Sequence, residues 1–478
     1  MTADTALLID FGSTYTKLRA IDLDAGKILG AGQGPSTVTS DVTIGLDAAL
    51  GDLEDAIGHL PKFKYRLASS SAAGGLSMIT VGLVKELTAE AARLAALGAG
   101  AKLIDAHAYK LTDKDAAGIV AKNPDILLLA GGTDGGNEET IRWNAKKLAQ
   151  AKLACPVVIA GNRNAADDIA KDLQALGVDA RITENVMPEF NVLDVEPARA
   201  AIRDVFIERI VHAKGIDRAQ SRFDAVLMPT PTAVMEGARL LASGTSNIKG
   251  LGPLVVIDVG GATTDVHSIA EGKPAQGGAL QYGLPEPFAK RTVEGDLGMR
   301  HNARTIVETI GADIFSARSG LDASEIETLL QTIEADIERL PNSVTETSFD
   351  ITLASFAVAR AMKRHAGRVE IKQSVTGPVT VQYGKDLTDV ETIIGTGGVL
   401  AHGENPEKIL AAALFDHDEA ESLRPKRPEL MVDQAYALYA VGLLADAAPE
   451  AALRFAHNNI HTNIIEKKGT GHGRTPTA

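Results

Sequence analysis

Residues 7–21, LLIDFGSTYTKLRAI, and residues 255–269, VVIDVGGATTDVHSI, align without a gap at an offset of 248. Ile9 and Ile257, Asp10 and Asp258, Gly12 and Gly260, Thr16 and Thr264, and Ile21 and Ile269 coincide. Each copy begins as an apolar run ending in Asp and turns through glycine and small hydroxyl residues. It then resumes with alternating β-type residues, the pattern of two short strands joined by a tight turn. Two such hairpins so far apart in one chain imply two related lobes facing one cleft.

The rest of the chain is long enough to build those lobes. Its 478 residues suggest two to four domains, and with 45% hydrophobic residues each has material for a core. The net charge of −14 gives no general field for nucleic acid or an anionic membrane, so a phosphate ligand must be held locally, by backbone and metal. One cysteine, Cys155, rules out a disulfide framework, a zinc cluster or an iron–sulfur cluster within the chain. Beside a strand-like run it reads as a small core residue. The first residues lack the basic stretch and long apolar run of a signal peptide. Residues 67–84 are uncharged and nearly long enough to span a membrane, but their serines and glycines read better as strand, turn and strand. A cytoplasmic location is expected.

Between the hairpins, strand, glycine loop and helix alternate. Residues 125–130 run into the loop 131–136 and a helix over 138–152. Residues 156–160 run into 161–164 and a helix over 165–176, with a strand at 178–182. Alternation of this kind predicts a parallel sheet covered by helices. The expected division is a first lobe at 1–100, an inserted α/β unit at 101–190, a connecting helical segment at 191–250, a second lobe at 251–465 and a loose tail at 466–478. In the second lobe, helices are predicted at 324–340 and 352–365, strands about a turn at Gly377 and Pro378, and a small-residue helix at 433–444.

The hairpins carry the chemistry. In the first, Asp10 stands at a strand end before Gly12, Ser13, Thr14 and Lys17. Gly12 lets backbone approach phosphate oxygens, the hydroxyls donate, and Lys17 can neutralise charge. In the second, Asp258 precedes Gly260, Gly261, Thr263 and Asp265. Two carboxylates facing a polyphosphate are a reason to expect Mg²⁺, which bridges to phosphate largely through its waters. Downstream, Gly395, Gly397 and Gly398 follow an apolar strand, where they allow either a base and ribose or a tightly packed helix to lie against the chain.

These motifs resemble the superfamily of acetate and sugar kinases, heat-shock chaperones and actin. The resemblance implies two ribonuclease-H-like lobes, Asp10 and Asp258 as ligands of Mg²⁺ and orienters of the attacking water, and the glycines with Ser13, Thr14, Lys17 and Thr263 as phosphate binders. Asp265 would assist. More specifically, VTSDVTIGLDAAL, YRLASSSAAGGLSMITVGLV, ILLLAGGTDGGN, PEFNVLDVEPARAAI, RTVEGDLGMR and TGPVTVQYGKDLTDVETIIGTGGVL look like the MutL family of glutamate mutase accessory proteins. That resemblance implies an ATP-dependent protein that reactivates an adenosylcobalamin-dependent carbon-skeleton mutase. The alternative is an ATP-dependent small-molecule enzyme, a kinase or a hydantoinase-like or lactamase-like amidohydrolase.

Three further features have two readings each. The segment around Asp105 and His107 lacks the glycine of the usual cobalamin-ligating pattern, so His107 is expected to be an ordinary strand or surface histidine. The 131–136 loop could receive an anion at a helix start, but Asp134, Glu138 and Glu139 favour a structural turn. Glu294 and Asp296, with Arg300, are either catalytic or substrate-clamping groups or an internal ion pair.

Overall fold

The computed structural model describes residues 4–12, 15–37, 41–70, 77–213, 223–274, 279–375 and 377–460. Ser13, Thr14 and the expected tail at 466–478 lie outside the described residues. The chain opens with three antiparallel strands, β1 (Thr5–Phe11), β2 (Tyr15–Asp22) and β3 (Lys27–Pro35), and β4 (Tyr65–Ser70) pairs parallel to β1. It then leaves this sheet for β5 (Ser77–Gly82), β6 (Lys102–Ala108), β7 (Ile126–Leu129), β8 (Val157–Ile159) and β9 (Ala180–Ile182). These five form their own parallel sheet in the order β6-β5-β7-β8-β9. The chain returns as β10 (Ala225–Pro229), parallel to β4, to complete a first sheet ordered β10-β4-β1-β2-β3.

The second lobe repeats the plan. Strands β11 (Leu254–Val259), β12 (Thr264–Ile269), β13 (Leu280–Tyr282) and β14 (Ala289–Glu294) precede a helical stretch that ends in the long helix Val344–His365. Next come β15 (Arg368–Ser374), β16 (Gly377–Tyr383), β17 (Thr392–Thr396) and β18 (Glu429–Val432). The main sheet runs β14-β12-β11-β17-β18, and β13-β16-β15 form a small separate sheet. Laying β11 on β1 superposes the two orders: a central strand, two antiparallel neighbours on one side and two parallel strands on the other. The molecule is thus an α/β protein with two ribonuclease-H-like lobes, the first carrying an inserted α/β unit. Strands β1 and β11 are apolar at almost every position because helices cover both faces of each sheet.

Where the lobes meet, the helix Thr230–Ser243 that follows β10 crosses the helix Leu438–Leu444 that follows β18. A β-carbon on Gly442 would lie 1.8 Å from the Ala233 carbonyl oxygen, and one on Gly237 2.4 Å from that of Leu438, so the helices touch backbone to backbone. The close packing expected of the small-residue segment is present, but its helix starts at Leu438, not at residue 433. Asp433 stays outside, where its carboxylate accepts the amides of Ala437 at 2.6 Å and Leu438 at 3.0 Å and so caps the first turn.

The inserted unit begins at Ser77 and not at residue 101, because β5 is an interior strand of its sheet. The stretch at 67–84 therefore contributes β4 to one sheet and β5 to another. Residues 191–250 do more than connect, since β10 is a strand of the first sheet. The boundaries were hidden because sheet membership is a long-range property, whereas each strand's apolar run is local. Among the described residues, no helix is long and apolar enough to cross a membrane. Cys155 is buried, and burial pushes its thiol up to about 11, which leaves it un-ionised in the core.

Candidate functional site

The two hairpins turn in the same way. The Gly12 amide donates to the Tyr15 carbonyl at 3.0 Å, and 248 residues later the Gly260 amide donates to that of Thr263 at 2.9 Å. A β-carbon would stand 2.6 Å from the Tyr15 oxygen at Gly12, which excludes a side chain there, and 3.0 Å from the Thr263 oxygen at Gly260, a tight fit in the second turn. One residue before each strand ends stands the aspartate. Asp10 is paired across β1 and β2 with Lys17, and Asp258 across β11 and β12 with Asp265.

Asp10 accepts from the Thr230 hydroxyl at 2.6 Å and the Ser69 hydroxyl at 3.3 Å. Burial holds its carboxyl above the usual value, against these hydrogen bonds and the charge of Lys17. Asp258 is pushed up to about 7, first by burial and then by its neighbour Asp265, with Arg291 and Lys17 pulling it back and Asp433 adding to the rise. Lys17 therefore acts on both aspartates and ties the first hairpin to the second. Its ammonium lies 5.2 Å from the centre of the Tyr436 ring.

Asp265 is already satisfied. Its Oδ2 accepts the Arg291 Nε at 3.1 Å and Nη2 at 2.5 Å, and the Thr263 hydroxyl donates to its other oxygen at 3.2 Å. The guanidinium therefore holds this buried carboxylate in place across the strands from Asp258. Glu294 and Asp296 share another partner: Arg364 donates to Glu294 at 2.5 Å and to Asp296 at 2.7 and 2.8 Å. Arg300 forks onto Asp350 at 3.0 and 2.6 Å. The RTVEGDLGMR segment thus builds ion pairs, and its main chain supports the second turn through Met299 and Arg300 amides donated to the carbonyls of Gly260 and Gly261.

The three downstream glycines divide. Gly395 is packing: a β-carbon there would lie 2.8 Å from a Leu410 methyl. Gly397, at φ +95°, lets its chain pass the Val259 carbonyl, 2.3 Å from where a β-carbon would be. Gly398 is exposed at the start of a short helix, and the Tyr436 hydroxyl is the nearest atom its β-carbon would meet, at 3.7 Å.

The 131–136 loop is tied to the neighbouring loops of its sheet. Asp134 accepts the Arg163 amide at 3.0 Å and the Asn185 side chain at 2.9 Å, and Asn162 accepts the Gly135 amide at 3.3 Å. Its polar groups serve the turn. His107 is held on β6 by Asp105 at 3.0 Å.

Residues outside the sequence reading complete the cleft. Arg19, two positions beyond Lys17 and so on the same face of β2, bears electrostatically on Asp433, Tyr436 and Tyr439. That period of two was a usable signal. Thr230, Ser69, Asp433 and Tyr436 had none, because they arrive from the helix start after β10, from β4 and from the crossing segment only once the sheets form. Burial lifts Asp433 to about 6 and Tyr436 to about 12. Tyr439 is buried, sensitive to the charges of Asp10 and Asp433, and its hydroxyl has no hydrogen-bond partner among the described residues.

The cleft therefore holds the half-buried carboxylates of Asp10 and Asp258 and the buried one of Asp433, all lifted above their ordinary values, and an unsatisfied hydroxyl, a donor set that fits a hydrated divalent cation. Among the described residues no three His, Cys, Asp or Glu side chains group as a metal site by themselves. Mg²⁺ does not require them, since it keeps several waters and needs one or two carboxylates beside phosphate.

The family model of the MutL protein matches residues 6–460. The chain belongs to the MutL family of glutamate mutase accessory proteins. The "Protein MutL" of Clostridium tetanomorphum is 46% identical over 452 residues, covering 94% of this chain and 98% of that protein. Solved structures with which the chain aligns include xylulose kinase from Bifidobacterium adolescentis, at 13% identity and TM-score 0.33 over 97% of this chain and 94% of that one. Gluconate kinase from Lactobacillus acidophilus aligns at 11% identity and TM-score 0.36 over 95% and 92%. The strand orders described above, and not these distant likenesses, carry the architecture.

Proposed function

We propose that this MutL-family chain is a Mg-ATP-binding ATPase that acts as the accessory, reactivating protein of an adenosylcobalamin-dependent carbon-skeleton mutase of the glutamate mutase type. The observation that carries the reading is the placement of Asp10 and Asp258 at equivalent positions of two like turns, with Lys17 paired across from Asp10. Mg²⁺ held there would neutralise the polyphosphate and balance the charge of the two carboxylates. Asp10 and Asp258 would orient water at the reacting phosphate, and the Gly261 amide, with Ser13, Thr14, Thr263 and Lys17, would bind its oxygens, while Gly12 and Gly260, whose own amides close the two turns, leave room for the phosphate to approach. Gly398, open to the cleft, is the member of the third motif suited to lie beneath the nucleoside, with Gly395 and Gly397 shaping the chain behind it.

Nucleotide that binds the closed lobes better than the open ones shifts the angle between them, and this movement would reshape the mutase to expel damaged cofactor. The corrinoid stays with the partner. The alternative, a small-molecule kinase or amidohydrolase, loses Glu294 and Asp296 as pocket groups because Arg364 occupies both. The deciding assay measures recovery of an inactivated mutase together with ADP release. Recovery that requires ATP, with turnover accelerated by the inactive mutase, supports the proposal. Equal recovery with and without ATP, or turnover driven by lactams, hydantoins or amino acids with no mutase present, overturns it.

A further inference from the structure

Two arginines clasp the inserted unit to the second lobe across the same strand. Arg199, from the helix Glu196–Ala213, reaches the Ala289 carbonyl of β14 at 3.0 Å and the Leu94 carbonyl at 3.4 Å. Two residues further along β14, Arg291 reaches back, donating Nη1 to the Leu97 carbonyl at 3.2 Å. Leu94 and Leu97 lie in the last turns of the helix Glu90–Gly98, where the helix dipole favours a cation, and the Leu97 carbonyl is shared between Arg291 and the Gly100 amide at 3.1 Å. Gly98 makes the approach possible, since a β-carbon there would stand 2.1 Å from the Arg199 Nε.

The clasps differ in what lies behind them. Arg199 ends on main chain and on Glu196. Arg291 also forks onto Asp265, the cross-strand neighbour of Asp258, so one buried guanidinium touches both the inserted helix and the carboxylate pair of the cleft. The helix Glu90–Gly98 in turn packs its alanines with Met78, Leu128 and Val158 of the inserted sheet in a single core. A contiguous path of contacts runs from that sheet through the helix end and Arg291 to Asp265.

We propose that Arg291 is a positioning residue that couples the nucleotide cleft to the inserted unit, so that the inserted unit senses whether the cleft is filled. The inference rests on the nucleotide reading given above. A cation beside Asp258 competes with Arg291 for the charge of Asp265. Arg291 then leans on the Leu97 carbonyl, and the helix end tightens. By reciprocity, a partner that displaces the inserted unit alters nucleotide affinity by the same factor.

The test is amide hydrogen exchange of the full chain with and without saturating Mg-ADP, with binding followed separately by calorimetry. In the wild type, exchange at Ala99, Gly100 and Ala101 is expected to slow by about five-fold or more on binding. In Arg291→Lys, compared at saturation so that any loss of affinity does not enter, that nucleotide-linked difference is expected to vanish. In Arg199→Gln, the same segment should exchange faster in both states yet keep the difference, which a merely structural clasp would not. An unchanged difference in Arg291→Lys, or its loss in both variants, overturns the coupling. So does a wild type that binds Mg-ADP without any change at the helix end, a result that needs no variant to fold. A wild type that binds no Mg-ADP at all rejects the nucleotide reading and the coupling with it.

Discussion

The ammonium of Lys17 rests 5.2 Å above the ring of Tyr436, joining a strand of the first lobe to the crossing segment of the second. Tyr436 holds a left-handed backbone at φ 49°, a conformation that costs a non-glycine residue free energy and persists only where surrounding contacts enforce it. The His402 ring, at 5.5 Å, is one of them. The ring keeps Lys17 directed into the cleft. Tyr436→Phe retains the ring face, and its nucleotide affinity should stay within about two-fold of wild type. Tyr436→Ala should weaken binding by about two- to five-fold, the worth of a partly exposed cation–π contact. Calorimetry on both variants checks the difference, and equal affinities would remove the contact's role.

The aspartates at the strand ends make a sharper prediction. Asp10→Ala and Asp258→Ala should each lower Mg-dependent ATP turnover by about 100-fold or more, since charge stabilisation in a water-poor site is a large term in catalysis. Neither should unfold the protein, because burial already strains both carboxyls and their removal relieves it. Steady-state ADP release and circular dichroism on the same preparations test both halves. Wild-type turnover in either variant would contradict the assignment.

How much of this was written in the sequence depends on the range of each interaction. Asp10, Gly12, Lys17, Asp258 and Gly260 were legible because a hairpin is local and the repeat at 248 displays its fixed positions twice. The glycines at 395, 397 and 398 were legible as a motif but not in their separate duties, which depend on Leu410 and Val259 packing against them. Glu294 and Asp296 were open between two roles because nothing near them in sequence announces Arg364, about 70 residues away on the helix Val344–His365. The insertion's first strand was hidden for the same reason: the apolar run of β5 reads alike whichever sheet receives it.

Titration of Asp258 gives stability and binding opposite pH dependences. Its folded value of about 7 lies above the usual 3.8, so the folded state binds more protons than the unfolded state between those values. The group's contribution to stability is therefore fully present below the unfolded value and is lost as pH rises through about 7. Binding of a divalent cation needs the ionised form and should strengthen over the same rise. Asp258→Asn should thus melt a few degrees higher than wild type at pH 8 and by less at pH 5, the difference vanishing only towards the unfolded value of 3.8. Its Mg-nucleotide affinity should be low at both. Scanning calorimetry at the two pH values decides, and a variant less stable than wild type at pH 8 would show that the carboxylate is not a buried cost.

The crossing of the two helices between the lobes is the most exacting contact in the molecule. Gly442 meets the Ala233 carbonyl so closely that a methyl group, 1.8 Å from that oxygen, has no room unless the helices separate. Separation would open the core shared by both lobes, where Ala233, Leu241, Val256, Ile394 and Val441 are buried together. Overpacking of this kind costs about 1–3 kcal/mol, more where backbone itself is the obstacle. Gly442→Ala should therefore lower the melting temperature by several degrees. It should also weaken nucleotide binding, because Tyr436 and Asp433 sit on the segment that leads into the displaced helix. Gly118→Ala is the control: a β-carbon there meets nothing within 4 Å, and alanine suits a helix interior better than glycine, so stability should rise slightly and binding should not change. Equal melting temperatures for the two variants would mean that the lobes adjust freely at their crossing, and that closure of the cleft is not governed by this pair of helices.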